Sequence, residues 1–314
     1  MRIRAIFVQL MVWAGALGLL NVAIVRLTAN SLPRQVLRRI AESANVTDLF
    51  VGNSVMVAAL DRAAFEAARP GTRALNVAVG STSPVEHDLF VHRALRLAPQ
   101  RVYYAFFDSQ LTRPVPSRWR DLSGTRAMVY YVDRERAIRL MGRDGPSAWQ
   151  VRLTSWLPMV VERATLWAAV ERARRRLAGF GAPPQEVGRF GRTADFAGLE
   201  DDPDVFRQYC ADVVAHRTPL LAAVRDLFET VRDARAELIV IEAPMTSSHR
   251  RRFYDTPEWE AYRAYVRSET ERFGGRFVDA SDWMVDAAFE DAVHLSAAGA
   301  TTFTTRLALR LARS

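Results

Sequence analysis

A chain of 314 residues, 49% hydrophobic and 25% charged, is long enough for one large globular domain and too apolar for a disordered one. Its net charge is +8 and all its basic residues are arginine, but they are scattered and no nucleic-acid-binding motif accompanies them, which argues against a nucleic-acid partner. The single Cys210 excludes an intramolecular disulfide framework and a cysteine-rich metal site.

Arg2 and Arg4 precede an uncharged run of 21 residues from Ala5 to Val25, closed by Arg26. That length suits a helix crossing a bilayer, for which about 20 apolar residues are needed. A cleaved signal peptide competes, since "NVA" before Ile24 resembles a small-residue cleavage site, but the run exceeds the usual apolar core of such peptides. We therefore read residues 1–30 as an uncleaved transmembrane anchor and 31–314 as the body. Arg26, Arg34, Arg38 and Arg39 beyond the run oppose Arg2 and Arg4, so flanking charge leaves the orientation open.

Five short apolar runs follow: "DLFVG" (48–52), "LNVAV" (75–79), "VYYAFF" (102–107), "LIVIEAP" (238–244) and "RFVDAS" (276–281). Continuous rather than alternating apolar runs suit parallel strands covered on both faces. Between the second and third, Val85, Leu89, Phe90, Ala94 and Leu97 share a helical face, and Pro99 stops the helix. The pattern predicts a doubly wound α/β domain, whose sites lie at the carboxyl ends of the strands.

In "DLFVGNSVMVAAL", Ser54 follows the first strand and precedes a helix predicted over 55–69. A serine there is either an N-cap or, given a base, a nucleophile. A base occurs in "DAVHLSAAGATTF", where Asp291 and His294 are three residues apart: the carboxylate can accept from one imidazole nitrogen while the other faces a hydroxyl. The remaining four histidines, His87, His92, His216 and His249, read as structural or surface residues. Asp291 and His294 alone make no metal-ligand set, and no glycine-rich phosphate loop follows the first strand. No metal or cofactor is expected.

"FVGNSV" together with "DAVHLSAAGA" resembles the first and last blocks of the SGNH (GDSL-like) hydrolase superfamily, over roughly residues 46 to 314. The resemblance implies a flavodoxin-like αβα domain with Ser54 as nucleophile, His294 as general base and Asp291 orienting it. "LNVAVGSTSP" resembles the second block, which assigns Gly80 to the oxyanion hole. Two positions depart from the family pattern: Asn53 stands where aspartate is usual, and "FFDSQLTRP" lacks the third-block asparagine. An anionic Asp108 cannot replace that donor, which leaves Gln110, Ser109 or backbone amides. An anchor, a Gly-x-Ser block and a missing asparagine are similar to membrane-anchored SGNH-like proteins of bacterial envelopes. They imply an O-acyltransferase or esterase on the extracytoplasmic (periplasmic) side of the inner membrane, with a glycan or polyol acceptor and a multi-spanning membrane acyltransferase as partner. A catalytically silent scaffold of the same fold is the alternative.

Residues 111–237 form an insertion too long for one crossover helix. Within it a helix is predicted over 157–177, with Val160, Leu166, Trp167, Val170 and Leu177 apolar and Arg172, Arg174, Arg175 and Arg176 near its end. Its apolar residues are expected to pack and its arginines to complement the helix dipole; the competing reading is a lipid-facing helix. The Gly- and Pro-rich stretch 178–204 is expected to be a surface loop, and "EAPMTSSHRRR" a loop near Ser54 with Thr246, Ser247, Ser248 and His249 within reach of substrate.

Overall fold

The computed structural model describes residues 2–29, 31–80, 82–113, 132–142, 145–177 and 202–312. Most of the Gly- and Pro-rich stretch and the segment 114–131 lie outside the described residues. In chain order the elements are α1 (Arg2–Leu27), α2 (Leu32–Glu42), β1 (Asp48–Val51), α3 (Ser54–Ala59), α4 (Arg62–Ala68), β2 (Ala74–Asn76), α5 (Pro84–Ala94), β3 (Arg101–Phe106), α6 (Arg134–Leu140), α7 (Gly145–Ser155), α8 (Pro158–Val161), α9 (Arg163–Leu177), α10 (Pro203–Ala215), α11 (Ala222–Asp233), β4 (Glu237–Glu242), α12 (Pro257–Arg272), β5 (Arg276–Asp279) and α13 (Ala297–Ala312). The chain divides into two compact units, residues 1–37 with 116–184, and residues 38–115 with 185–314.

The larger unit is α/β, built on five parallel strands in the order β2-β1-β3-β4-β5. All four residues of β1, and five of six in both β3 and β4, are buried, as continuous apolar runs require when both faces are covered. On one face Phe50 stacks on Tyr103 at 4.3 Å between centroids, and Phe65 meets Phe50 edge-on at 4.9 Å. Met56, Ile239, Ile241 and Leu307 join this cluster. On the other face Tyr104 packs edge-on against His87 of α5 and Phe228 of α11. There too Glu242, fully buried, accepts from Trp259 Nε1 at 3.1 Å and from Arg263 Nε at 2.6 Å, both on α12.

The helix predicted over 55–69 is two helices. Asp61 ends its continuity by capping α4: its side chain accepts from the Ala64 amide at 3.1 Å, and its own amide donates to Thr304 of α13. Thr304 Oγ1 in turn donates to the Ala59 carbonyl at 2.9 Å, so α13 is keyed to the turn between α3 and α4.

In the smaller unit, α1 contains a 24-residue stretch, Arg4–Leu27, long and apolar enough to cross a membrane and almost wholly exposed. Its carboxyl end is tied into the insertion: Ile24 is buried, α1 packs on α8, and Ser31 Oγ donates to the buried Glu162 carboxylate at 3.3 Å. The helix predicted over 157–177 is likewise broken, into α8 and α9, at Glu162, whose side chain turns inward to Ser31. The expectation that its apolar residues pack inward is corrected, since Trp167 and Val170 are exposed.

Candidate active site

Ser54, Gly80, Gln110 and Thr246 all follow the carboxyl ends of their strands, and the loop between β5 and α13 brings in Asp291 and His294. At the corner after β1 the chain turns sharply at Gly52, with φ at 152°. A Cβ there would press on the Ala105 carbonyl at 3.1 Å and on Met56 Cβ at 3.0 Å, so glycine lets β1 run close beside β3.

The N-cap of α3 is Asn53, not Ser54: Asn53 Oδ1 accepts from the Val55 amide at 3.0 Å. Ser54, the first residue of the helix, is thereby released from capping. Its hydroxyl instead meets His294 Nε2 at 2.8 Å, and His294 Nδ1 meets Asp291 Oδ2 at 2.7 Å. Because a carboxylate only accepts, Nδ1 carries the proton towards Asp291, and Nε2 is left with its lone pair towards the serine.

The carboxylate is itself held. Asp291 Oδ1 accepts from the Val293 and His294 amides at 2.9 and 2.8 Å. Burial raises its pKa, but the hydrogen bonds from the His294 ring and these two amides outweigh burial and hold the carboxyl below its ordinary range. The loop is closed by Phe289 pairing with Leu295, by the Glu290 amide donating to the His294 carbonyl at 2.8 Å, and by the Ser296 amide donating to the Ala288 carbonyl at 2.8 Å.

The remaining predicted residues fall as follows. Gly80 lies beside the serine, since a Cβ on it would stand 3.6 Å from Ser54 Cβ. Gln110 is tethered one residue from the nucleophile: Asn53 Nδ2 donates to Gln110 Oε1 at 3.2 Å. The direction of this bond follows from the cap, because the Val55 amide can only donate and so identifies the Asn53 oxygen. Gln110 is left with its NH2 as a donor. Ser109 is fully buried and its hydroxyl has no hydrogen-bond partner. Thr246 bonds the Ala292 carbonyl from its hydroxyl at 2.9 Å, which joins the loop after β4 to the loop bearing the histidine. Ser247 is turned to Asp286, and Ser248 to Thr246.

A second buried histidine–aspartate pair went unread in the sequence. Asp108, with φ at 49°, sends its carboxylate to His249 Nε2 and to the Tyr254 hydroxyl, both at 2.9 Å, and its amide donates to the Tyr254 oxygen at 2.8 Å. Burial, followed by the charges of Asp108 and Glu242, pushes the Tyr254 phenol far above its ordinary pKa, so it remains a donor. These contacts hold a non-glycine residue in a left-handed conformation that costs about 1–3 kcal/mol, two residues before Gln110. The available signal was an aspartate just after the apolar run of the third strand; its partner, 141 residues away, carries no motif.

Among the described residues, no group of three or more His, Cys, Asp or Glu side chains is placed to hold a metal ion. No protein-family model matches the chain, and no curated protein matches its sequence.

Proposed function

We propose that the chain is a membrane-anchored serine O-acyltransferase or esterase of the SGNH type, working through an acyl-Ser54 intermediate on an extracytoplasmic envelope glycan or polymer. The observation that carries this reading is the continuous relay from Asp291 through His294 to Ser54, with contacts of 2.7 and 2.8 Å. The strand order supports it, since 2-1-3-4-5 is that of flavodoxin-like doubly wound sheets, with sites at the carboxyl edge where the order reverses. The apolar helix α1 supports the anchor, and the resemblance of the two sequence blocks supports the inner membrane, a periplasmic body and a membrane acyltransferase partner.

The chemistry follows from the proton positions. As Ser54 Oγ attacks the donor's acyl carbonyl, His294 Nε2 takes the hydroxyl proton, and Asp291 stabilises the resulting imidazolium. Charge then develops on the former carbonyl oxygen. The amide of Ser54, which as the first helical residue has no intrahelical acceptor, the amide of Gly80 and the NH2 of Gln110 are the donors for it. Collapse expels the leaving group, protonated by His294. A glycan or polyol hydroxyl, or water, next gives its proton to His294 and attacks the acyl-serine; Ser54 then recovers its proton as it leaves.

The test is labelling of the full chain in detergent with a fluorophosphonate probe, beside Ser54→Ala and His294→Ala. The expected result is covalent labelling of the unmodified chain and none of either variant. A folded wild-type chain that resists the probe refutes an activated serine and leaves the silent scaffold.

A further inference from the structure

The part of the insertion within residues 116–184 shares a compact unit with the candidate membrane helix, and its surface is unlike that of a protein in water. Helix α7 is apolar on two sides. Ala148 and Val151 face inward and are buried, whereas Trp149 and Leu153 on α7, and Trp156 just beyond it, point outward at 64%, 57% and 67% exposure. Their spacing of four and three residues places them on one stripe. Helix α9 carries a second exposed stripe: Trp167, Val170 and Leu177 lie along one face, with Arg174 among them. Large apolar side chains lined up on an exposed face mark a surface that meets lipid or a partner.

Two observations select the occupant. The first is continuity: α8, which follows this stripe, packs on α1, and Ser31, four residues beyond the end of α1, is bonded to Glu162 at the start of α9. The exposed tryptophans are therefore attached at the end of a helix of membrane-crossing length, where amphipathic rings are enriched at the boundary between headgroups and acyl chains. The second is charge. Between 132 and 177 there are ten arginines against five acidic residues, a net +5 that complements anionic lipid.

We propose that α7, α8 and α9 lie in the membrane interface beside the anchor, with Trp149, Leu153, Trp156 and Trp167 sunk among lipid and arginines such as Arg174 and Arg175 meeting phosphates. The inference rests on reading α1 as a transmembrane helix, and its occupant is lipid rather than another protein. It gives these helices a task separate from catalysis: to seat their own unit in the headgroup region of the bilayer.

The test reconstitutes the full chain in vesicles of phosphatidylcholine and phosphatidylglycerol, with an environment-sensitive NBD fluorophore on one introduced cysteine at a time. Cys210 is fully buried and leaves the label to the introduced site. Trp149→Cys and Leu153→Cys report the stripe, Trp13→Cys reports the anchor, and Val285→Cys, exposed in the other unit, reports water. The expected result is blue-shifted emission at 149 and 153, quenched most by lipids carrying a doxyl group near the headgroup, with 13 quenched most by a deep doxyl group and 285 by neither. If 13 is quenched while 149 and 153 behave like 285, the interfacial placement is overturned and the anchor stands. If 13 is not quenched, the anchor reading falls and the inference falls with it. Equal quenching at 149 without phosphatidylglycerol would overturn the role given to the arginines.

Discussion

Gly299→Ala is the substitution that most directly probes how the loop bearing His294 is held. Replacing glycine by alanine in a helix ordinarily stabilises by up to about 1 kcal/mol. Here the opposite sign is expected. A Cβ on Gly299 would fall 2.1 Å from the Ala288 carbonyl oxygen, where contacts below 3.0 Å are not sustained, so something must move by about 0.9 Å. Neither side yields cheaply. The Ala288 carbonyl accepts from the Ser296 amide and closes the loop carrying Asp291 and His294, while α13 is keyed to α3 and α4 through Thr304. Overpacking of this kind costs about 1–3 kcal/mol, which exceeds the propensity gain. Less that gain, the expected net loss is up to about 2 kcal/mol, a fall in Tm of several degrees at the upper end for a unit of this size. A displacement of that order at His294 should also slow fluorophosphonate labelling by about a hundredfold, the usual effect of misplacing a reacting group by about 1 Å. Thermal unfolding and labelling rates measure the two effects. Gly80→Ala serves as contrast, because its Cβ would meet only Ser54 Cβ at an ordinary 3.6 Å and should leave Tm unchanged. An unchanged or higher Tm in Gly299→Ala with wild-type labelling would refute the reasoning.

Asp291→Asn should place an amide against His294 Nδ1, move the ring proton to Nε2 and lower the labelling rate by about ten-thousandfold, with thermal stability little changed; a rate near wild type would sink the orienting role of Asp291. Asn53→Asp introduces the residue usual in the first block that this corner resembles, yet it should set a carboxylate oxygen against Gln110 Oε1 and rotate the Gln110 NH2 towards residue 53; labelling should slow by about a hundredfold while the α3 cap, and hence Tm, survives. His87, bonded to Thr82 and Tyr104, is pushed by burial from 6.5 to about 3 and so stays neutral when folded. Below pH 6.5 the unfolded chain takes up a proton that the folded one refuses, so this stability is present above 6.5 and is lost as pH falls towards about 3, at about 1.4 kcal/mol per unit. Urea unfolding across that range should show a slope shallower by one proton in His87→Gln; identical slopes would exclude His87 as the source.

The strands were legible because parallel strands buried on both faces must be apolar throughout, and "DLFV", "VYYAF" and "LIVIE" say so without help from tertiary contacts. The pairing of Ser54 with His294 was legible from chemistry: an aspartate three residues before a histidine, and a serine at a strand-to-helix corner, are what an activated hydroxyl needs. What remained hidden depended on partners distant in sequence. The break at Asp61 is fixed by Thr304, the break at Glu162 coincides with a bond to Ser31, and Asp108 is bent by His249 and Tyr254. The identity of the cap also turns on a single residue, and Ser54 and Asn53 are equally good caps by propensity. Trp167 was expected to pack because an apolar face in a globular chain usually does, and its 72% exposure shows that it does not pack within the chain.

The relay joins residues 240 positions apart, from the start of the first strand's turn to the threshold of the last helix. A ribosome therefore makes the serine some 240 residues before its histidine partner. Bringing such distant segments together is the slow, entropically costly part of folding, and here the final helix performs it by docking on α3 and α4. Until the loop before α13 is in place, Ser54 lacks its contact with His294. A nascent chain, or one cut short before residue 294, can hold the sheet and still lack the base that the proposed chemistry needs, so on that reading the serine waits for the loop after β5.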